Sequence, residues 1–305
     1  MVTLLLPFSV RQAFADRLAK DAPKVDFAAP KGESALVAAD SLSWRVFKNP
    51  VALFVGGIAA VILELAEPRV RSGVWDHSSF PRDPTTRMVR TGMAAMVTIY
   101  AARSVAERMI ARVRQVHGHV HGQTPSGITY EANDTKLLDW VQATASFGFL
   151  EAYCTYVRWL PADVCDYFYA EGTAASALYG ATGAPRSVAQ QKALFETMRC
   201  VLEPSPILFK FLQIVNDAAL LPLPLRPFQR LLTRAAVDIV PREIRILLEL
   251  DERYGLNGME RALVRIVGTV ADRLVLPDAP PVQACIRLGL PRDYLYSRQP
   301  QSFRV

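Results

Sequence analysis

Cysteine is scarce: four residues in 305, at positions 154, 165, 200 and 285, with no pair spaced C-x-x-C. That excludes a disulfide scaffold and fits a reduced, cytosolic chain. Lysine is also scarce, at seven of the 35 basic residues. The arginines are spread along the whole chain, and no block of five like charges occurs. A net charge of +6 distributed in this way gives no nucleic-acid patch, and no nucleic-acid partner is expected. Buried arginines facing the carboxylates of a ligand or cofactor are an equally good use for them. Alternating strand patterns of four or more residues are nearly absent, and no internal repeat of fixed period occurs. Long apolar runs are missing too. The longest, Val51 to Leu63, ends at Glu64 and is shorter than the ~20 residues a bilayer requires. It reads as a buried core helix, with peripheral membrane contact left open. The N-terminal apolar run is broken by Pro7 and Arg11 and has no basic segment before it, so no secretory signal is expected. The expected location is cytoplasmic, with membrane association open.

With 51% hydrophobic and 21% charged residues, the chain has the makings of a sizeable core, which excludes disorder. The spacing predicts an all-α protein: one globular domain of about ten helices over 36–305, preceded by a mobile surface arm, residues 1–35, with a short helix. Asp40-Ser41 offers a helix cap, and Pro50 opens the apolar helix that ends by Pro68. Val70 to Pro84 has turn chemistry and reads as a loop. Thr85 or Thr86 caps a helix from about Arg87, with Val89, Met93, Met96 and Tyr100 on one face. A second helical stretch runs from Ser104 to Val120, and Gly122 to Gly127 breaks it. Asp134 caps an amphipathic helix, and Pro161 and Ser187 each open another. Gly180 or Gly183 ends the one from Pro161. The C-terminal third consists of three Pro-bounded amphipathic pieces.

Two clusters carry chemistry. All four histidines lie within 45 residues, at 77, 117, 119 and 121. On a helix, His117 and His121 share a face one turn apart, and His119 points away. That pair is open to three uses: a solvated or core pair at a helix end, a haem axial ligand, or a half-site for another metal with an acid such as Asp76. Gly118 and Gly122 suggest that something flat or bulky passes close to the backbone. The second cluster is Arg87, Arg90 and Thr91, at i, i+3, i+4 on one helix face. It is either a solvated helix end paired with Asp83, or a polar wall able to hold propionates, polarise oxygen or bind an anion.

Taken in order, EPRVRSGVWDHSSFPRDPTTRMVRT, RVRQVHGHVHG, GITYEANDTKLLDWVQATASFGFLEAY and PADVCDYFYAEG resemble the latex-clearing-protein and MpaB oxygenase family, from about Leu63 to Val215. The resemblance implies an all-helical fold with a globin-like core and a bound haem b. It places the axial ligand to the haem iron on His117, the histidine of R-V-R-x-x-H. It places a distal R-x-x-K-T motif on Arg87, Arg90 and Thr91, as the catalytic residues, with Arg90 standing where the family has Lys. Arg87 and His121 are then candidates to contact the cofactor. The implied reaction is O2-dependent C=C cleavage of a small lipophilic, isoprenoid-like alkene. The export signal of secreted members is not seen here, which argues against an extracellular polymer such as rubber. The alternatives are a non-catalytic haem or lipid carrier, and a non-haem metalloenzyme built on the His cluster.

Overall fold

The structure, a computed structural model, describes residues 25–218, 220–221 and 226–297. Two long helices form its centre, α2 (Pro50–Ala66) and α6 (Thr135–Tyr156). They approach at Gly56 and Gly148, where a Cβ on Gly56 would stand 2.7 Å from the Gly148 carbonyl oxygen. No side chain fits between them, so the backbones themselves are in contact. Gly57, one residue on, has only the Phe149 ring nearby, at 3.8 Å. α2 starts as its sequence dictates. Pro50 occupies the first helical position, and the Asn49 side chain accepts from the Val51 and Ala52 amides.

Around this pair the chain is mostly helical. α1 (Leu42–Phe47), capped by Ser41, leads into α2, and α3 (Pro68–His77) follows it at a bend of 108°. α4 (Pro84–Tyr100) and α5 (Arg103–His117) come next. A small antiparallel hairpin, β1 (His121–Gln123) and β2 (Thr129–Glu131), then packs against α3 and leads into α6. The remaining helices are α7 (Ala162–Glu171), α8 (Thr173–Tyr179), α9 (Val188–Met198), α10 (Pro206–Asp217), α11 (Arg226–Ile239), α12 (Arg242–Leu247), α13 (Gly258–Ala271) and α14 (Pro280–Arg287). One hydrophobic core runs through them, from Phe27 to Leu295. Among the described residues, no single helix is long and apolar enough to cross a membrane.

Several caps match the sequence reading. Asp134 accepts from Lys136 and Leu137, Ser187 accepts from Gln190, and Gly180 ends α8 at φ 99°. Four expectations are corrected. First, the expected loop from Val70 to Pro84 is helical up to His77. Pro68 at the first position and the Glu67 carboxylate, accepting from the Val70 amide at 2.8 Å, start a helix that its internal Ser-Gly does not stop. Second, the cap of α4 is Asp83, accepting from Thr86, and not Thr85 or Thr86. Third, α5 does not reach Val120. It stops at His117, with Gly118 as its C-cap. Fourth, the fold is therefore not purely helical, because the chain beyond the cap forms a strand. Helices α10 and α14 were not read from the sequence. Residues 1–24, which hold most of the expected arm and its short helix, lie outside the described residues. Its last part, residues 25–35, is held to α14, where buried Arg287 donates to the carbonyls of Phe27 and Glu33.

Candidate functional site

His117 closes the inward face of α5. Ala106, Ile110, Val113 and His117 follow i, i+4, i+7, i+11, the first two buried and the last two half-buried, whereas Val116 is 56% exposed. The imidazole is half-buried. Its Nδ1 is buried with no hydrogen-bond partner, and neither ring nitrogen bonds to any described residue. Burial, and then the nearby positive charge of Arg87, hold its pKa below the ordinary histidine value. His117 is therefore a neutral imidazole with a free lone pair near neutral pH, which is the form that binds a metal. A buried polar atom without a partner calls for an explanation.

The other histidines are elsewhere. The helical i, i+4 pairing of His117 with His121 is overturned, because α5 ends at His117 and His121 lies on β1 opposite Glu131, exposed. His119 is exposed in the turn between them. His77 Nε2 meets the Tyr130 hydroxyl at 3.1 Å. The same Tyr130 accounts for Gly122, since a Cβ there would lie 2.8 Å from the tyrosine oxygen. The flat group passing that backbone is this ring. Among the described residues, no three of His, Cys, Asp and Glu come together as a metal site, so His117, His121 and Asp76 do not form one.

Arg87 and Thr91 do come together, on the first half of α4. The Arg87 guanidinium donates to Thr91 Oγ1 at 2.5 Å, and that hydroxyl donates to the Arg87 carbonyl at 2.9 Å. Arg87 is half-buried, whereas Thr91 and Arg90 are exposed. From Pro84 to Met96 this helix has no fully buried residue, and Met88, Met93, Ala95 and Met96 pack only partly buried against the core. Asp83 takes the cap position and bonds no arginine; the charge of Arg90 only helps keep its carboxyl ionised.

The structure adds a residue that the sequence reading passed over. Glu64, one turn from the end of apolar α2, has a carboxyl that burial pushes up to about 7, against the opposing pull of Arg87 and of Thr144. Thr144 Oγ1, on α6, reaches Glu64 Oε1 at 3.5 Å while bonding the Val141 carbonyl at 2.8 Å. Burial likewise lowers the Arg87 pKa, and Glu64 opposes that shift. Helices α2, α4, α5 and α6 thus bring a carboxyl, a guanidinium, an imidazole and a hydroxyl into one electrostatically linked group. The signal in the sequence was a single acid inside the apolar turn Leu63-Glu64-Leu65, where burying a carboxylate costs free energy.

That cost is measurable. An unfolded Glu64 ionises near its ordinary 4.5, and the folded one near 7. Between those values the folded chain binds more protons, so stability falls as pH rises, and the full cost is present above 7. In the cofactor-free chain, Glu64→Gln is expected to raise stability by about 2–3 kcal/mol at pH 8 and to change it little at pH 4, read by urea denaturation. An equal effect at both pH values would show that Glu64 is not ionising in this window.

No curated protein and no solved structure matches the chain. A family model described as ER-bound oxygenase mpaB/B'/Rubber oxygenase, catalytic domain, matches residues 44–272 of the 305. Glu64, Arg87, Thr91, His117 and Thr144 all fall inside that span, and the chain belongs to the MpaB and rubber-oxygenase catalytic-domain family.

Proposed function

We propose that this chain is a haem b-dependent oxygenase that cleaves a C=C bond of a small lipophilic, isoprenoid-like molecule with O2. The observation that carries the reading is His117, an inward-facing imidazole with no partner, electrostatically linked to Arg87 and, through it, to Glu64. A neutral imidazole on a rigid helix end fits an axial haem ligand, and the globin-like core implied by the family resemblance belongs to the same reading. Haem, when bound, supplies the iron chemistry that lets O2 react with an alkene, both oxygen atoms ending in two carbonyl groups.

The chain's own residues set the conditions for that chemistry. His117 would hold the iron. Arg87, held by Thr91, would offer the remaining N–H donors of its guanidinium to developing negative charge, with Thr91 fixing its position. Glu64 holds a proton at its carboxyl below about pH 7 and can accept one above it, which suits a group that moves protons near neutrality. Arg90 is exposed and stays charged, so it adds positive potential to this face and cannot alternate between acid and base.

The test is O2 uptake by haem-loaded protein offered isoprenoid alkenes and unsaturated fatty acids, with carbonyl products read by mass spectrometry. Two carbonyl groups formed per O2 consumed is the expected result. Stoichiometric haem with no uptake on any alkene would replace the oxygenase reading with that of a carrier.

A further inference from the structure

α13 packs on the body of the protein through Gly268, where any Cβ would collide with the Tyr156 carbonyl, and through buried Val264. Its opposite face should then be polar. Instead, Met259, Leu263, Ile266 and Val270 follow i, i+4, i+7, i+11 along it and are 83%, 42%, 61% and 47% exposed. The other exposed large aliphatics and tyrosines, Val116, Ile128, Tyr167, Leu178, Val201 and Ile246, each lie on a separate element. Trp159 is 74% exposed. It follows the end of α6, where Arg265 Nε bonds the Thr155 carbonyl at 2.8 Å and Thr269 Oγ1 reaches the Val157 carbonyl at 3.4 Å.

Three acids on or against this helix are engaged, Asp238 with Arg261, Glu260 with Arg234 and Asp272 with Lys48, while exposed Asp163 and Asp278 have no ion pair among the described residues. Arg158, Arg265 and Arg273 are exposed and form no ion pair among the described residues. A rigid helix with an outward apolar stripe, with unpaired arginines on and just past it and an exposed tryptophan two residues beyond Val157, which the helix contacts, matches the interface of an anionic lipid bilayer.

We propose that α13, with Trp159, is a peripheral docking surface for anionic membranes, seating Met259, Leu263, Ile266 and Val270 among the acyl chains and the arginines among the headgroups. The inference stands whatever reaction the Glu64–His117 site performs. The test is flotation of the full chain with phosphatidylcholine vesicles, with and without phosphatidylserine. Binding is expected only with the serine lipid. Ile266→Glu and Met259→Glu should each lower it about tenfold, and Arg158→Ala and Arg273→Ala about fivefold each, as should added salt. The replaced side chains are exposed, so the variants should keep the wild-type thermal melt. No flotation of wild type, or flotation that Ile266→Glu leaves unchanged, overturns the proposal. So does a chain that sediments as a dimer, fails to float, and is split by Ile266→Glu, since the face then joins two copies.

Discussion

His117→Ala is expected to lose haem, with affinity falling by more than about 100-fold, whereas His119→Ala and His121→Ala keep it. Altering a group that only orients a metal ligand already costs 10–100-fold, and losing the ligand itself costs more. The separation of the three histidines follows from the backbone. α5 ends at His117 with Gly118 as C-cap, which leaves His117 on the buried face and turns the chain outward at His119. His121 then lies on a strand, exposed and paired in register with Glu131. Haem titration followed at the Soret band reads all three variants. Retention of haem in His117→Ala together with its loss in His121→Ala would move the ligand to the hairpin and overturn the assignment.

At matched haem occupancy, Arg87→Ala is expected to lower the oxygenase rate by about 10²–10³, the usual effect of deleting one preorganised donor. Thr91→Ala should also lower the rate, because it frees the guanidinium that Thr91 holds at 2.5 Å. Thr91→Ser keeps the hydroxyl and should restore most of the activity. Arg90→Ala should cost less than either, because that side chain is exposed and bonds no described residue, and Arg90→Lys should remain active. O2 uptake with a lipophilic alkene compares the series. Full activity in both Arg87→Ala and Thr91→Ala would remove this helix face from the chemistry.

The helix starts at Ser41, Asp134 and Ser187 were legible because each side chain satisfies a free amide locally, and the start at Pro50 because proline suits the first helical position. The stretch after Pro68 was misread because Ser72-Gly73 resembles a turn, whereas tertiary packing decides the matter. The Tyr130 ring lies in ordinary contact distance of Gly73, 3.7 Å from where a Cβ would stand. The extent of α5 was misread for the opposite reason. The valine spacing continues through Val116 and Val120, but Val116 faces solvent and the glycine cap, not the periodicity, sets the end. Of the site, Arg87 with Thr91 was visible as an i, i+4 pair on one helix. Glu64 and Thr144 were not, because their approach depends on α2 and α6 meeting at two glycines 92 positions apart in sequence (148 − 56). The outward stripe of α13 was partly legible as an amphipathic helix. Which of its two apolar faces is buried depends on Gly268 and Tyr156.

The measurement that bears most directly on this account is the visible spectrum of the full chain titrated with haem b. A Soret band that saturates at about one haem per chain, and that is lost in His117→Ala but not in Glu64→Gln, is the result expected from a single axial imidazole on α5. A chain that takes up no haem on reconstitution, and retains zinc instead, would contradict it.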